Sequence, residues 1–302
     1  MSGVAGGSAE WPVLPWSEWA ATANTLHMWT QIVGKTRLAL TPLQNHWWNV
    51  PLYVTARGLG TSAMPYGDDV LDIEFDFVAH ELHLRLGSGK TLSTPLRAQT
   101  VAEFYKEYVA SLAELGVSVT IHPMPVEVQS PIRFDLDTEH KSYDPVYAHR
   151  FWQVLVHAEN VFRAWGTGFM GKVSPVHFFW GSFDLAVTRF SGRPAPPRPG
   201  ADSIQREAYS HEVISAGFWP GNGGYGAAAF YCYAAPVPDG LAGAKVRPEA
   251  AAWDKTLGEF IFRYEALLAQ PSPEDALMEF LESAYAAAAD AAKWDRAALE
   301  RH

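Results

Sequence analysis

The sequence predicts an α+β fold built from two similar halves, each an antiparallel sheet packed against a long helix, with a cleft between them. The first observation is an internal repeat: segments 25–35 and 46–48 resemble segments 161–172 and 177–180, in the same order and with similar spacing. The second is that helical and strand-like segments are segregated, without the alternating βαβ units of a Rossmann fold or a TIM barrel. A duplicated unit predicts a pseudo-twofold molecule, and clefts between such units commonly bind ligands.

The first half, residues 1–135, is predicted to begin with a helix around residue 25 and to continue with several strands and a second helix. Apolar residues recur at helical spacing over 101–115. Thr100 and Glu103 have the spacing of a capping box, and Gly116 is a typical helix stop. Branched and aromatic residues between turn-forming segments predict strands at 52–55, 71–78 and 81–86, and an alternation of apolar and polar residues predicts one at 117–121.

The second half, residues 136–302, is predicted to repeat this order. Asp144 and Pro145 suit the start of a helix that extends to about residue 165. Ser272 and Pro273 open an Ala-rich helix that extends to about residue 294, with an apolar stripe. Strands are predicted between these helices at 176–180, 183–190, 213–219, 228–235 and 257–263.

Composition and charge exclude several classes of protein. The chain has 302 residues, 48% of them hydrophobic, a net charge of -10 and no run of Lys or Arg. This balance argues against binding to nucleic acid or to an anionic membrane. A single cysteine, Cys232, excludes an internal disulfide and the multi-cysteine zinc patterns, and it is expected to be a buried strand residue. The first ten residues lack the pattern of a signal peptide, so a cytoplasmic protein is expected.

Polar residues embedded in apolar sequence mark the candidate site in the second half. Asp184 interrupts an apolar strand, so its carboxylate must be paired, bound to a metal or shifted to a higher pKa. A buried ion pair with Arg189 or another arginine is one alternative. Two histidines and a carboxylate are enough for an open site for a divalent ion such as Fe, Zn or Mn. The candidate metal ligands are His177, His211, Glu207 and Asp184, and the candidate acid–base residues are His177, Asp184, His211 and Glu212.

Arginines and tryptophans supply candidate groups for binding a substrate. Guanidinium groups on Gly/Pro-rich loops suit recognition of a carboxylate or a phosphate. Tryptophan is costly to leave exposed, and the 12 Trp of this chain are expected to line a pocket or the core. Surface ion pairs and simple core packing are the alternatives. The candidates are Arg57, Arg189, Arg193 and Arg198 for an anion, and Trp48, Trp180 and Trp219 for the walls of the cleft.

Several long motifs resemble an uncharacterised bacterial family, a domain of unknown function. They lie at 11–16, 25–35, 45–55, 174–193 and 206–220, so that the resemblance covers nearly the whole chain. It implies no activity, and no catalytic residue is carried over from it.

Two functions are consistent with these patterns. The first is an enzyme that acts on a small anionic or aromatic molecule, with or without a divalent metal, in the cleft between the halves. The second is a protein that binds or senses a small molecule in the same cleft without catalysis. The sequence does not predict an oligomeric state.

Overall fold

A computed structural model describes residues 10–197 and 199–301 and shows an α+β protein with two antiparallel sheets. Arg198 and residues 1–9 lie outside the described residues. The helices are α1 (Trp16–Leu40), α2 (Val101–Leu115), α3 (Pro145–Thr167), α4 (Ser203–Ala208), α5 (Tyr264–Leu268), α6 (Pro273–Ala291) and α7 (Arg296–Leu299). No helix in this part of the chain is both long and apolar enough to cross a membrane.

The first sheet is a meander that follows α1. Its strands are ordered β1-β2-β4-β5-β6, and β3 pairs with the first residues of β4. The alternating burial of β4 and β5 shows that one face of this sheet lies on the core. The strands are β1 (Tyr53–Val54), β2 (Gly58–Gly60), β3 (Met64–Tyr66), β4 (Asp69–Asp76), β5 (Glu81–Leu86) and β6 (Thr91–Pro95).

The second sheet is also a meander, and it follows α3. Its strands are ordered β11-β12-β10-β9-β8-β7. Each half therefore runs from a long helix through a six-stranded sheet to another helix, as the repeat predicts. The strands are β7 (His177–Phe179), β8 (Asp184–Pro194), β9 (His211–Trp219), β10 (Ala229–Ala235), β11 (Ala252–Asp254) and β12 (Glu259–Arg263).

The two sheets meet edge to edge. Leu52, just before β1, exchanges two backbone hydrogen bonds of 2.9 Å with Phe178 of β7. One continuous set of buried apolar residues extends through both halves. The halves are therefore similar units that share a single core.

Helix α1 runs through this shared core. Its residues from Trp19 to Arg37 are buried on nearly every side, which is typical of a central helix. Gly34 lies against the indole of Trp180, and a Cβ added to Gly34 would be 2.3 Å from Trp180 Cδ1. A glycine is required there because the two halves approach each other so closely.

Local sequence signals were reliable for the helix ends. Thr100 and Glu103 form the predicted capping box, and Gly116 ends α2 in the left-handed conformation with φ 82°. Asp144 and Ser272 cap α3 and α6 as predicted. The strand predicted at 117–121 is wrong: this segment is irregular, and its alternation reflects burial of Val117 on the core without pairing to another strand.

Candidate functional site

The outer face of the second sheet, which points away from α3 and α6, carries the polar residues of interest. Strand register places His177, Ala186, Gly217 and Tyr231 side by side on this face. Side chains alternate between faces along each strand, so the intervening apolar residues pack into the core. The hairpin turn between β7 and β8 brings Asp184 onto the same outer face as His177.

A short roof covers one end of this face and combines both halves of the chain. It consists of the 3-10 turn Asn45–Trp47 from the first half and α4 from the second. His46 and Trp47 have φ values of 59° and 60°, which are unfavourable for residues other than glycine. The His46 N–H donates to Glu207 (3.0 Å), and the Trp47 indole N–H donates to the Ile204 carbonyl (3.2 Å). Contacts with α4 thus stabilise the strained turn.

Lys172 contacts this roof through His46 and is itself exposed to solvent. Its Nζ is 2.8 Å from Nε2 of His46, and it lies 4.9 Å and 4.8 Å from the ring centroids of Trp48 and Phe190. His46 Nδ1 lies 3.3 Å from the Ala208 carbonyl, which can accept only from a protonated Nδ1. Nε2 is then the unprotonated nitrogen, and it accepts from Lys172.

Lys172 is exposed and His46 is buried, and desolvation is the largest cause that lowers the pKa of each. The pKa of Lys172 is lowered by desolvation, against the charge of Glu207. The pKa of His46 is lowered by desolvation and then by the charge of Lys172. We call Lys172, His46, Trp48, Phe190 and His211 the junction site, because the first half supplies His46 and Trp48 and the second half the rest.

His211 and His177 lie on two sides of His46 and Trp48. The His211 ring is 5.8 Å from that of His46, and its Nδ1 is 3.1 Å from the Ser210 hydroxyl. His177 is only 1% exposed, and its ring lies 5.8 Å from that of Trp48. Burial lowers the pKa of His177 to about 4, so its imidazole is neutral at pH 7.

The predicted metal ligands do not form one cluster. Glu207 accepts a hydrogen bond from the His46 backbone, and Asp184 lies opposite Phe179 at the other end of the outer face. Within residues 10–197 and 199–301, no three or more His, Cys, Asp or Glu side chains are arranged to hold a metal ion. A metal at His211 and His177 therefore stays a prediction.

Asp184 is held by neutral donors. Ser182 and Tyr231 donate hydrogen bonds to its two carboxylate oxygens. Burial raises the pKa of Asp184 against these hydrogen bonds. The alternative of a buried ion pair with Arg189 is wrong, because Arg189 extends from the opposite face of the same strand.

Arg189 is a core residue. Its guanidinium carbon lies 3.6 Å from the ring centroid of Trp165 and 4.3 Å from that of Tyr285, and Nη2 donates to the Trp165 carbonyl. The nearest carboxylate, Glu282, is 3.6 Å away. The prediction that Arg189 binds a substrate anion is corrected accordingly, since the side chain is 1% exposed and enclosed by aromatic rings.

The remaining predicted polar residues are engaged elsewhere. Arg193 pairs with Glu212 at 2.6 Å and also donates to the Ala292 carbonyl at the end of α6. This pairing occupies the carboxylate of Glu212, a predicted catalytic group. Arg57 pairs with Asp76 on the first sheet, away from the junction site.

Of the three predicted tryptophans, only Trp48 belongs to the junction site. Trp180 donates its indole N–H to the Val50 carbonyl at 2.8 Å and packs between the halves. Trp219 stacks on Tyr225 with ring centroids 4.9 Å apart, at the far end of the outer face. Cys232 is a buried strand residue, as predicted, and burial raises its pKa to about 12.

Sequence reasoning missed Lys172 and Glu259 as functional candidates, and it gave His46 no role beyond the wall of a shared cleft. Burial, followed by the nearby charge of Asp184, raises the pKa of Glu259 to about 7. Nothing in the local sequence marks Glu259. The repeat did give a signal for Lys172 and His46. Lys172 corresponds to Lys35 of the first copy, and His46 corresponds to His177 of the second copy.

Two surface cavities lie outside the junction site. One of about 270 Å³ is formed by residues 13–16, residues 226–228 and α5, and one of about 130 Å³ lies between Glu212 and Trp294. Both are lined mainly by apolar groups. We place the candidate site at the junction because polar groups with shifted pKa values converge there.

Comparison with known proteins gives a family without an assigned activity. No curated protein and no solved structure matches the chain. Residues 11–301 match a family described as "Family of unknown function (DUF5996)". The match spans nearly all of both halves, including the roof, the two sheets and α6. The chain belongs to this family of unknown function.

Proposed function

We propose that the protein is an enzyme that acts, at the junction site, on a small molecule bearing an anionic group and an aromatic ring. The observation that carries this proposal is the position of Lys172, whose ammonium group lies between Trp48 and Phe190 against an imidazole acceptor. None of the ion pairs among the described residues includes Lys172. A cation outside any ion pair is available for an anionic ligand.

Charge around the site supports an anionic ligand. The chain carries a net charge of -10, yet two further cations, Lys35 and Arg37, are buried where the halves meet. Within the described residues, neither is in an ion pair with a carboxylate. Arg37 lies 5.4 Å from the ring of Tyr53, which borders His177. The junction is therefore a positive region in an acidic protein, which favours the approach of anions.

The imidazoles support acid–base chemistry. The Nε2 lone pair of His46 can take a proton, and the half-buried His211 ring lies 5.8 Å from the His46 ring. Imidazole suits both roles because one of its ring nitrogens can accept a proton while the other donates one. The strained φ of His46 and Trp47 is of the kind that persists where the surroundings hold a functional group in place.

The test is calorimetric titration of the protein with benzoate, an aromatic carboxylate, and with benzylamine as a cationic control. We expect benzoate to bind and benzylamine not to bind. Lys172→Met should weaken benzoate binding by about tenfold or more, the effect of removing one charge-assisted contact. Lys255→Met, at an exposed site in the same half, should change nothing. Equal affinity in the two variants would refute the site.

Metal dependence is tested separately. Plasma mass spectrometry of the purified protein and of a His211→Ala variant should show a near-stoichiometric divalent ion that the variant lacks if His211 is a ligand. Absence of metal from both, after reconstitution with Fe, Zn and Mn, would leave His211 as an acid–base group.

Non-catalytic binding is the second candidate function. It is favoured by the closed polar networks around Asp184 and Glu212, whose carboxylates are already hydrogen-bonded to Tyr231 and Arg193. Such networks stabilise a fixed surface for a ligand and leave fewer groups for proton transfer. A ligand that remains bound through purification and is recovered chemically unchanged would support this function over catalysis.

A further inference from the structure

We propose that Lys172 is a nucleophile that forms an imine with the carbonyl carbon of a small aromatic aldehyde or ketone. This inference rests on the proposed function, since it assigns the substrate class to the same junction site. It starts from the distance of 2.8 Å between Lys172 Nζ and His46 Nε2. A lysine attacks carbonyl groups only as the neutral amine, and a neighbouring base such as this imidazole can remove the proton from its ammonium form.

The surroundings fix the direction of proton transfer. The backbone N–H of His46 donates to the Glu207 carboxylate at 3.0 Å and holds the turn in place. The ring Nδ1 of His46 faces the Ala208 carbonyl at 3.3 Å, which directs Nε2 towards Lys172. His46 is buried, with 5% of its surface exposed. Desolvation lowers the pKa of Lys172, which increases the neutral fraction. The rings of Trp48 and Phe190 oppose this decrease in the pKa of Lys172, because aromatic faces stabilise the ammonium form.

The reaction balances without any further reagent. His46 Nε2 accepts a proton from Lys172, and the neutral Nζ attacks the carbonyl carbon to form a C–N bond. The carbonyl oxygen takes a proton and becomes the hydroxyl of a carbinolamine, while Nζ gives up a second proton. The C–O bond then breaks, the hydroxyl leaves as water with the proton that the imidazole holds, and a protonated imine remains beside a neutral imidazole. The aromatic part of the substrate would lie against Trp48 and Phe190, which flank Nζ.

The chain contains an internal control for this chemistry. Lys35 occupies the matching place in the first copy of the repeat and lies over Trp180 at 5.8 Å, as Lys172 lies over Trp48. Lys35 is buried, whereas Lys172 is exposed, and burial lowers the pKa of Lys35. In the part of the chain that the structure describes, however, no histidine is hydrogen-bonded to Lys35. If desolvation alone made a lysine reactive, Lys35 would react at least as well.

The experiment is reductive trapping of the full-length protein with 4-carboxybenzaldehyde and cyanoborohydride, followed by peptide mapping by mass spectrometry. We expect one adduct per chain on the peptide that contains Lys172, formed about tenfold or more faster than on the exposed Lys255. Lys172→Arg should abolish this adduct. His46→Asn should slow it by about tenfold or more, because asparagine tolerates the left-handed conformation but supplies no imidazole base.

The outcomes separate this inference from the proposed function. A preferred adduct on Lys35, or labelling of Lys255 and other exposed lysines as fast as that of Lys172, would overturn the assignment of Lys172. Benzoate binding that depends on Lys172, without any trapped adduct, would overturn the imine and leave the binding site intact. If the wild-type protein neither binds benzoate nor forms a trapped adduct, the imine and the proposed function are both overturned. Thermal unfolding shows whether each variant is folded. If a variant is unfolded, the relative labelling of Lys172, Lys35 and Lys255 in the wild-type protein tests the assignment instead.

Discussion

The phenol of Tyr231 lies directly over Gly217, so that a Cβ added to Gly217 would be 2.3 Å from the Tyr231 hydroxyl oxygen. The two residues are paired across β9 and β10. By crossing a residue without a side chain, the tyrosine reaches Asp184 on β8 and donates a hydrogen bond to it. The missing side chain at position 217 is therefore what allows the buried carboxylate to be satisfied.

Substitution of this glycine should disturb the outer face. We expect Gly217→Ala to lower the free energy of unfolding by about 1–3 kcal/mol, the usual cost of forcing extra atoms into a packed site. Tyr231→Phe, which keeps the ring and removes the hydrogen bond, is the matched control for the lost contact with Asp184. Urea unfolding measures both, and an unchanged midpoint for Gly217→Ala would show that Tyr231 has another position available.

The contact between the halves predicts a second glycine effect. Gly34→Ala should lower the free energy of unfolding by about 1–3 kcal/mol, because Trp180 cannot move away from α1 without leaving the core. Gly166→Ala in α3 is the control, since no atom lies within 4 Å of a Cβ there. This second change should be neutral or stabilising by about 0.5–1 kcal/mol, because alanine favours the helix. Equal effects of the two changes would contradict the close approach.

Arg189 should affect stability and not ligand binding. Arg189→Ala removes a guanidinium that is stacked on Trp165 and Tyr285 and leaves a cavity, so we expect a loss of about 3 kcal/mol in unfolding free energy. Arg247→Ala, at an arginine that is 77% exposed, should change stability by less than about 0.5 kcal/mol. Benzoate affinity, measured on the folded variant, should equal that of the wild type. A selective loss of affinity would return Arg189 to the list of binding residues.

Buried histidines should weaken the fold in mild acid. Burial lowers the pKa values of His27 and His177 to about 4 each, whereas an unfolded histidine titrates near 6.5. As the pH falls below about 6.5, the unfolded state binds protons first, and stability is lost progressively down to about pH 4. Unfolding free energies at about pH 7 and pH 5 test this. His177→Gln should show a smaller loss between the two pH values than the wild type, and an equal loss would count against a buried neutral imidazole.

Glu259 should lower the stability of the fold as the pH rises, whereas the buried histidines lower it as the pH falls. Its folded pKa is raised from 4.5 to about 7, so the folded state holds its proton more tightly than the unfolded state. The contribution of Glu259 to stability is therefore present below about pH 4.5 and is lost as the pH rises through about 7. The difference in unfolding free energy between wild type and Glu259→Gln, followed from about pH 5 to pH 8, isolates this group. A pH-independent difference would indicate an ordinary carboxylate.

Helix ends, most strands and the duplication could be predicted from the sequence because their signals are local. The capping box of Thr100 and Glu103 is an example, since its partners are three residues apart. The separation of Asp184 from Arg189 could also have been predicted. The two residues are five apart in one strand, so their side chains point to opposite faces of the sheet. The strand at 117–121 was mispredicted because alternation reports burial, and pairing requires a partner that the local sequence does not reveal.

The junction site could be predicted only in part. His46 and Trp48 were recognised as a wall of a shared site, but their approach to Lys172 depends on contacts across more than a hundred residues. That approach is set by α4, which clamps the 3-10 turn through Glu207 and Ile204. Tertiary contacts of this kind leave no periodic signal in the chain.

The edge pairing of Leu52 with Phe178 determines how a ligand can enter. Proteins made of two lobes often admit ligands by rotating the lobes about a hinge. Here such a rotation would break the two backbone hydrogen bonds between the sheets and pull Trp180 away from Gly34. Lys172 is exposed at the surface, so a ligand can reach it from solvent without any such rotation, and the contacts between the two lobes stay intact.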